Sequence, residues 1–344
     1  MKKLLMTSTA LVAGTGIAFA DGHTGVTLSG YAEMGISYVE DRDESFGTSL
    51  EEEFLLHSDY DVTFKGAGET DGGIEFGFAI DLDEVNNGIG AQGSDGSVFI
   101  KGEFGTLTLG DTDDAFDKAL QEVGMLTSLT DDHTTHAGYS FNGGGNLVGL
   151  FAGLEGFASG FNGLEEEFVL RYDYSFNEFT FSLSFEQGYE FTGTEIDDTY
   201  SVGVAYDGNL GGTDFGLGLG YSDNSDLGSA YGISVDFAVA DFEVVLNYSF
   251  TDLDELTSEA EVTHYGIGIG YTIDALSLHA NYGVFDIDLD GAPDAEISGF
   301  GLAANYDLGG GAVVMFGYGH NDLDEDTTTV DDFATFSFGL GLSF

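Results

Sequence analysis

Carboxylates are the side chains with which this chain could do chemistry. Its 344 residues hold 62 Asp and Glu against 7 Lys and Arg, a formal net charge of −55, and no cysteine. Fixed charge of this density attracts cations over a screening length of about 8 Å at 0.15 M salt and repels nucleic-acid phosphates, so we expect no nucleic-acid partner. One acidic stretch stands out, and its members are Asp111, Asp113, Asp114, Asp117, Glu122, Asp131 and Asp132.

A second acidic motif has the spacing of a calcium loop. Asp286, Asp288 and Asp290 precede Gly291 as in the first half of an EF-hand, but position twelve is Ile297 rather than a bidentate Glu, and no flanking helices are predicted. Calcium bridging of crowded loop carboxylates is one interpretation, because hard oxygen ligands suit Ca²⁺. The other is a loop surface adapted to saline surroundings. No cofactor is required by either interpretation.

Enzyme chemistry has little support in these residues. His133 and His136 lie beside Asp131 and Asp132 and have the residue types of a transition-metal site, although exposed loop histidines usually have no such role. The chain has no Gly-x-Ser-x-Gly, no His-Glu-x-x-His and no Walker loop. We therefore predict a protein that is not an enzyme.

The elements around these residues are indicated by alternation. From Ala334 to Phe344, apolar side chains occupy the even positions and small or polar ones the odd positions. Period-two alternation places the apolar residues on one face, and the run has the length of a tilted strand that crosses a bilayer. Because a lone strand in lipid leaves its backbone edges unpaired, such strands must close into a barrel.

The same pattern recurs along the chain and predicts an all-β transmembrane antiparallel barrel of about sixteen strands. Short turns such as 177–178, 240–241 and 274–275 alternate with longer acidic loops, which is the asymmetry of bacterial outer-membrane barrels. The predicted strands are 26–38, 54–64, 74–82, 98–101, 106–109, 168–176, 179–185, 200–206, 215–221, 231–239, 242–250, 265–273, 276–284, 300–308, 312–318 and 334–344.

The first twenty residues predict export. Lys2 and Lys3 precede a short apolar stretch that ends in Ala18-Phe19-Ala20, a small-x-small cleavage site. We expect residues 1–20 to be a signal peptide cleaved after Ala20, which leaves 21–344 as the barrel domain. No segment reaches the roughly 18 uninterrupted apolar residues of a helical membrane span.

Several segments resemble a known family. They are the Val26-Thr27-Leu28-Ser29-Gly30 opening, the turn and strand from Gly68 to Gly77, the run from Gly105 to Asp111, and the terminal Phe344. In this order they resemble the alphaproteobacterial, Rhodobacter-type general outer-membrane porins. None of these segments is a catalytic motif, and the resemblance spans the mature chain.

The resemblance implies a homotrimer of sixteen-stranded barrels in the outer membrane of a Gram-negative bacterium, in contact with lipid and lipopolysaccharide. It also implies passive diffusion of small hydrophilic solutes and a third loop that folds inward to narrow the pore. For Phe344 it implies recognition by the outer-membrane barrel assembly machinery, with a simple lipid-facing residue as the alternative.

The longest unpatterned run, 111–166, lies where that family places its constricting loop. An unstructured loop of this length in a compact fold is usually functional. If the loop folds inward, it would place the acidic stretch in the channel. Gly216, Gly218 and Gly220, like the glycines at 266, 268 and 270, fall on the inward face by alternation. These glycines either leave room for the loop or widen the pore, and the sequence leaves both open.

Alternation also places charged residues on the pore wall. Cations are few there, and excess fixed negative charge predicts a channel that prefers cations. A substrate-specific channel and a non-transporting surface barrel, such as an adhesin, are the alternatives. The predicted wall residues are Glu33, Asp59, Asp61, Lys65, Glu75, Asp81, Lys101, Arg171 and Asp173.

Overall fold

Strands account for nearly all of the secondary structure in the described part of this chain. A computed structural model describes residues 25–40, 53–82, 96–129, 169–188, 190–191, 194–195, 197–253, 260–289, 294–325 and 332–344. The strands are β1 Gly25–Val39, β2 Glu53–Glu69, β3 Glu75–Leu82, β4 Gly96–Gly102, β5 Gly105–Gly110, β6 Val169–Phe176, β7 Phe179–Glu186, β8 Glu190–Phe191, β9 Thr194–Glu195, β10 Thr199–Leu210, β11 Thr213–Asn224, β12 Gly228–Val239, β13 Phe242–Leu253, β14 Ala260–Ile273, β15 Leu276–Leu289, β16 Ala295–Gly309, β17 Ala312–Glu325 and β18 Phe333–Ser343. One short helix, α1, covers Ala115–Ala119.

Sixteen of these strands close into one antiparallel barrel, which confirms the predicted fold class. The order around the barrel is β1-β18-β17-β16-β15-β14-β13-β12-β11-β10-β7-β6-β5-β4-β3-β2, and β8 pairs only with β9. The barrel closes between β1 and β18, where Met34 pairs with Leu340 and Ile36 with Phe338. Closure gives each of the sixteen barrel strands a partner on both sides, as a sheet in lipid requires. No helix among the described residues is long and apolar enough to cross a membrane.

The strands are longer than the apolar alternation indicates. β15 continues to Leu289, β16 already begins at Ala295 and β17 continues to Glu325. The prediction ended β15 and β17, and began β16, near the outermost apolar residue of the outward face. That was wrong because backbone pairing continues past the lipid-facing band, where the outward side chains become polar.

The outward face carries the apolar residues. Leu56, Phe54 and Phe179 are exposed on this face, Leu56 by 91%. Aromatic rings contact each other across neighbouring strands near both strand ends, with centroid distances of 5.0 Å for Tyr221 and Tyr231 and 4.5 Å for Phe242 and Tyr271. Such rings are typical of the two membrane–water interfaces.

Candidate functional site: a loop inside the barrel

The chain turns into the barrel directly after β5. Gly110 has a φ of +125°, and a Cβ there would overlap the carbonyl oxygen of Gly96. The backbone N–H of Asp111 then donates to that same carbonyl at 3.1 Å. Residues 111–129, the inner loop segment, follow, and Phe116, Val123 and Leu129 in this segment are buried. The loop prediction 111–166 thus has its described part inside the barrel, while 130–168 lie outside the described residues.

Glycines of the inner wall lie under this segment. A Cβ at Gly203 or Gly218 would overlap the carbonyl oxygen of Ala115 or Ala119, and one at Gly268 would overlap that of Val123. Farther round the barrel, Cβ atoms at Gly35 and Gly339 would overlap the side chain of Leu129. The wall glycines therefore make room for the loop. Gly216 is an exception, because its missing Cβ faces the carboxylate of Asp236 instead.

Serine and asparagine side chains of the wall bond to the loop backbone. The N–H groups of Ala115 and Gln121 donate to the hydroxyls of Ser184 and Ser234, both at 2.8 Å. Asn247 donates to the carbonyl of Gln121, and Asn305 donates to that of Thr127, both at 3.0 Å. These bonds satisfy backbone groups that burial would otherwise leave unpaired. The sequence interpretation missed these residues, although alternation places each of them on the inward face.

Apolar contacts add to the docking. Val123 and Met125 of the loop pack with Val245 of β13 in a buried cluster. Phe116 lies where a Cβ of Gly220 or Gly232 would be. Burial of apolar surface favours the docked position over a loop that hangs in water. The inner loop segment therefore lies flat on the wall from β7 round to β1.

Asp114 corrects one expectation about the acidic stretch. We expected its carboxylate in the channel, but the side chain is only 1% exposed. It accepts hydrogen bonds from the Asp117 N–H at 2.8 Å and from the Ser201 hydroxyl, and so caps α1. Burial raises the pKa of the Asp114 carboxyl to about 7, although these hydrogen bonds oppose the rise. A capping role at the wall replaces a role in the channel.

The other described loop carboxylates are less buried than Asp114. Asp111 is exposed, and Asp113, Asp117 and Glu122 are half-buried. Asp131 and Asp132, like His133 and His136, lie outside the described residues.

The register places the predicted wall residues on the lumen face. Paired residues of neighbouring strands share a face, and Gly35, which contacts the loop, pairs with His57. The same face passes through Asp59, Asp61 and Lys65 of β2 to Asp81 and Glu75 of β3 and Lys101 of β4. Glu33 pairs with Asp59, and Arg171 and Asp173 pair with Thr108 and Thr106.

The positive groups of this face lie next to carboxylates. Lys101 Nζ is 3.5 Å from Glu75 Oε2, and Arg171 Nε is 3.0 Å from Asp173 Oδ2. Lys65 experiences the charge of Asp81. Among the described residues of the lumen face, these cations are therefore balanced locally by carboxylates.

Glu33 belongs to a group that the sequence interpretation missed. Tyr31 donates to Glu33 Oε1 at 2.7 Å, and His57 Nε2 lies 3.3 Å from Glu33 Oε2. Alternation places all three side chains on the inward face, and this pattern could have predicted the group.

The sequence of this barrel, with its loop folded inside, matches the model of a known protein family. The sequence model described as "Gram-negative porin" matches residues 7–326. The chain belongs to the Gram-negative porin family. This porin is 29% identical over 337 residues to a porin of Rhodobacter capsulatus, which covers 91% of this chain and all of the relative. It is 26% identical over 305 residues to a porin of Fuscovulum blasticum, covering 84% and 92% of the two chains. Both relatives confirm the resemblance to Rhodobacter-type porins.

Solved porin structures share the fold. A porin refined at 1.8 Å resolution superposes with a TM-score of 0.65 at 24% identity, covering 93% of this chain and 100% of the other. The anion-selective porin from Comamonas acidovorans gives 0.66 at 15% identity, covering 94% and 100%. The trimer form of OmpT, an outer-membrane protein of Vibrio cholerae, gives 0.66 at 13% identity, covering 93% and 99%. The family and the fold are those of a passive outer-membrane channel rather than an enzyme.

The calcium candidates of the porin lie partly on a strand. Asp286 and Asp288 belong to β15 and are exposed on its outward side, not in a loop as the motif suggested, and Asp290 lies outside the described residues. Among the residues described, no group of three or more His, Asp or Glu is arranged to hold a metal ion. A strand keeps carboxylates at alternate positions extended, so they do not wrap around an ion as an EF-hand loop does.

Proposed function

We propose that this porin is a general diffusion channel that prefers cations. The observation that carries the proposal is the charge arrangement of the lumen face. The cations of its described part are Lys65, Lys101, Lys118 and Arg171, and Arg171 is buried in ion pairs. Carboxylates of the wall and of the inner loop segment outnumber them. Fixed negative charge in a narrow aqueous pore raises the local cation concentration.

The fold does not decide the sign of this preference. The Comamonas neighbour is named as anion-selective and shares the barrel. Side-chain charge on a common scaffold must therefore set selectivity, and in this chain that charge is negative.

Assembly is part of the proposal. The neighbour from Vibrio cholerae is described as a trimer form, and the Rhodobacter-type resemblance implies a homotrimer surrounded by lipid and lipopolysaccharide. The strongly exposed Leu56 and Phe54 on the outward face are apolar enough for lipid or for a second copy. Cleavage of residues 1–20 would complete export. Calcium bridging would then have to join Asp286 and Asp288 of β15 to Asp290 just beyond it.

Planar-bilayer recording of the refolded porin tests the function. We expect large conductance steps that do not saturate with solute, and a reversal potential of cationic sign under a KCl gradient. Raising the salt from 0.1 to 1 M shortens the screening length from about 10 to about 3 Å, so the preference should fall steeply. A zero or anionic reversal potential would falsify the cation preference.

Matched variants test whether carboxylates of the inner loop segment set the ion selectivity. Asp117→Asn combined with Glu122→Gln removes carboxylates from the inner loop segment and should reduce the cationic reversal potential. Asp241→Asn removes a carboxylate from the exposed turn after β12 and should leave the potential unchanged. Block by one solute at low concentration would instead show a substrate-specific channel. A folded barrel that conducts no ions would show a non-transporting surface protein.

A further inference from the structure

Arg171 differs from the other lumen cations in its burial. Its residue exposure is 7%, whereas Lys101 and Lys118 are exposed. A cation that acts on passing ions should face the water of the pore. Arg171 instead lies between the wall and the beginning of the inner loop segment.

The guanidinium of Arg171 joins the wall to the loop. Nε donates to Asp173 Oδ2 at 3.0 Å, while one terminal nitrogen donates to the backbone carbonyl of Asp113 and lies 3.9 Å from the Asp113 carboxylate. Asp173 is itself fixed by the Ser182 hydroxyl, which donates to Oδ1 at 2.7 Å. The rigid fork of an arginine suits this simultaneous contact with two partners.

Arg171 is also part of a row that holds the loop on both sides of Asp114. Across the sheet, Arg171 pairs with Ser184, Ser184 with Ser201, and Ser201 with Ser222. Arg171 bonds to the carbonyl of Asp113, Ser184 bonds to the N–H of Ala115, and Ser201 bonds to the carboxylate of Asp114. One row of wall residues therefore grips three consecutive loop residues.

These three contacts lie at the start of the loop, where the chain turns away from β5. Only a few residues separate Asp113 from Gly110, at which the chain leaves β5 in the left-handed region. α1 and the rest of the inner loop segment follow the grip along the wall. A change at Arg171 therefore acts on the path of the whole segment.

We propose that Arg171 is a positioning residue that latches the inner loop segment to the wall and so sets the free cross-section of the pore. Its positive charge is neutralised by Asp173 and Asp113 and therefore contributes little to the ion selectivity of the pore. The inference rests on the diffusion function proposed above.

Comparison of Arg171→Met with Lys118→Met separates an effect of loop position from an effect of charge alone. Each removes one positive charge from the same region, but only Arg171 contacts the wall and the loop together. Uptake of uncharged sugars of increasing size into liposomes measures the cross-section without a charge effect. We expect Arg171→Met to raise uptake of a sugar near the wild-type size limit by at least about twofold, since passage depends on pore diameter, and Lys118→Met to leave it unchanged.

A cysteine gives a second readout that does not depend on transport. The chain has no cysteine, and Ala119 is buried against the wall. Labelling of Ala119→Cys by a pore-permeant thiol reagent should accelerate about tenfold with Arg171→Met, because the Asp113 carbonyl would lose its hydrogen bond to a charged donor at the start of the loop. Arg171→Lys should restore part of the slow labelling, since an ammonium keeps the charge but not the fork.

The outcomes are distinct. Sugar uptake and labelling equal to wild type in a folded Arg171→Met barrel, verified by its heat-modifiable mobility in gels, overturn the latch. An equal rise for Arg171→Met and Lys118→Met also overturns it, because charge alone would then explain the effect. A wild-type barrel that takes up no sugar overturns the diffusion function, while the labelling comparison still tests the latch.

Discussion

At single positions of the inner wall, the absence of a side chain decides whether the loop can lie there. Gly218 and Gly266 both face the inner loop segment, but with different neighbours. A Cβ at Gly218 would overlap the backbone carbonyl of Ala119, whereas one at Gly266 would approach the Val123 side chain at 3.2 Å and make an ordinary contact with the Tyr282 carbonyl at 3.5 Å. A rigid backbone group cannot give way as a side chain can.

We therefore expect Gly218→Ala to displace the loop and Gly266→Ala to be tolerated. Overpacking of this kind costs about 1–3 kcal/mol of docking free energy. A reporter at Ser128→Cys, a position buried in the native porin, should be labelled about tenfold faster with Gly218→Ala, since about 1.4 kcal/mol is a factor of ten. Equal labelling in the two alanine variants would show that the glycine at 218 is not required for docking.

A strained turn residue gives a test of barrel stability. Ala240 adopts a φ of +54°, and Asn177 adopts +53° at the corresponding place of another short turn. Asparagine tolerates the left-handed region better than alanine does. Ala240→Asn should raise the free energy of unfolding in urea by about 0.5–1 kcal/mol, and Asn177→Ala should lower it by a similar amount. Changes of the same sign in both variants would contradict this explanation.

At the scale of elements, α1 couples loop docking to pH. Burial raises the pKa of its capping residue Asp114 from 3.8 to about 7, and the nearby charge of Asp113 adds to the rise. The docked loop then holds this proton more tightly than the undocked one. The contribution is fully present below pH 4, is lost as pH rises through 7, and amounts to roughly 4 kcal/mol at most.

Labelling of Ala119→Cys should therefore accelerate between pH 5 and pH 8 by more than thiol ionisation explains. Asp114→Asn keeps the helix cap but cannot ionise. In this background, the labelling rate of Ala119→Cys changes with pH only through ionisation of the thiol, so it serves as the control. A constant ratio of the two rates across this range would show that Asp114 does not titrate in the docked loop.

Elements also show what alternation could and could not predict. Alternation located every barrel strand, including the short β4 and β5, since side-chain direction in a strand depends only on local backbone geometry. It ended β15 and β17 too early and began β16 too late, because outside the lipid band a polar outward residue continues the strand as well as an apolar one. Asp286 and Asp288 were assigned to a loop for this reason.

At the scale of the whole molecule, the last residue contacts the first strand of the barrel. Phe344 donates its N–H to the carbonyl of Gly30 at 2.8 Å, and its ring is 81% exposed beside Leu28 and Tyr60 on the outward face. The contact lies at the β1–β18 junction that closes the barrel. Phe344 therefore has a place in the finished fold as well as a predicted role in assembly.

Phe344→Ala separates these two roles. Recognition by the assembly machinery predicts a several-fold loss of folded barrel in cells, with unchanged refolding into detergent from urea. A matched variant, Phe338→Ala, removes an exposed aromatic side chain from the interior of β18. Similar losses for both variants in cells and in detergent would indicate that Phe344 only faces lipid.

The sequence alone predicted the barrel, a count of about sixteen strands, the outward apolar face and which charged residues alternation turns inward. Each of these follows from period-two alternation and the need to pair every backbone group in lipid. The tertiary structure alone decided the path of the loop and the partners of its charges. Asp114 could not be recognised as a buried cap, nor Arg171 as a contact to Asp113, because loops carry no periodicity. Their contacts join loop residues to wall residues that strand pairing and the inward path of the loop bring together.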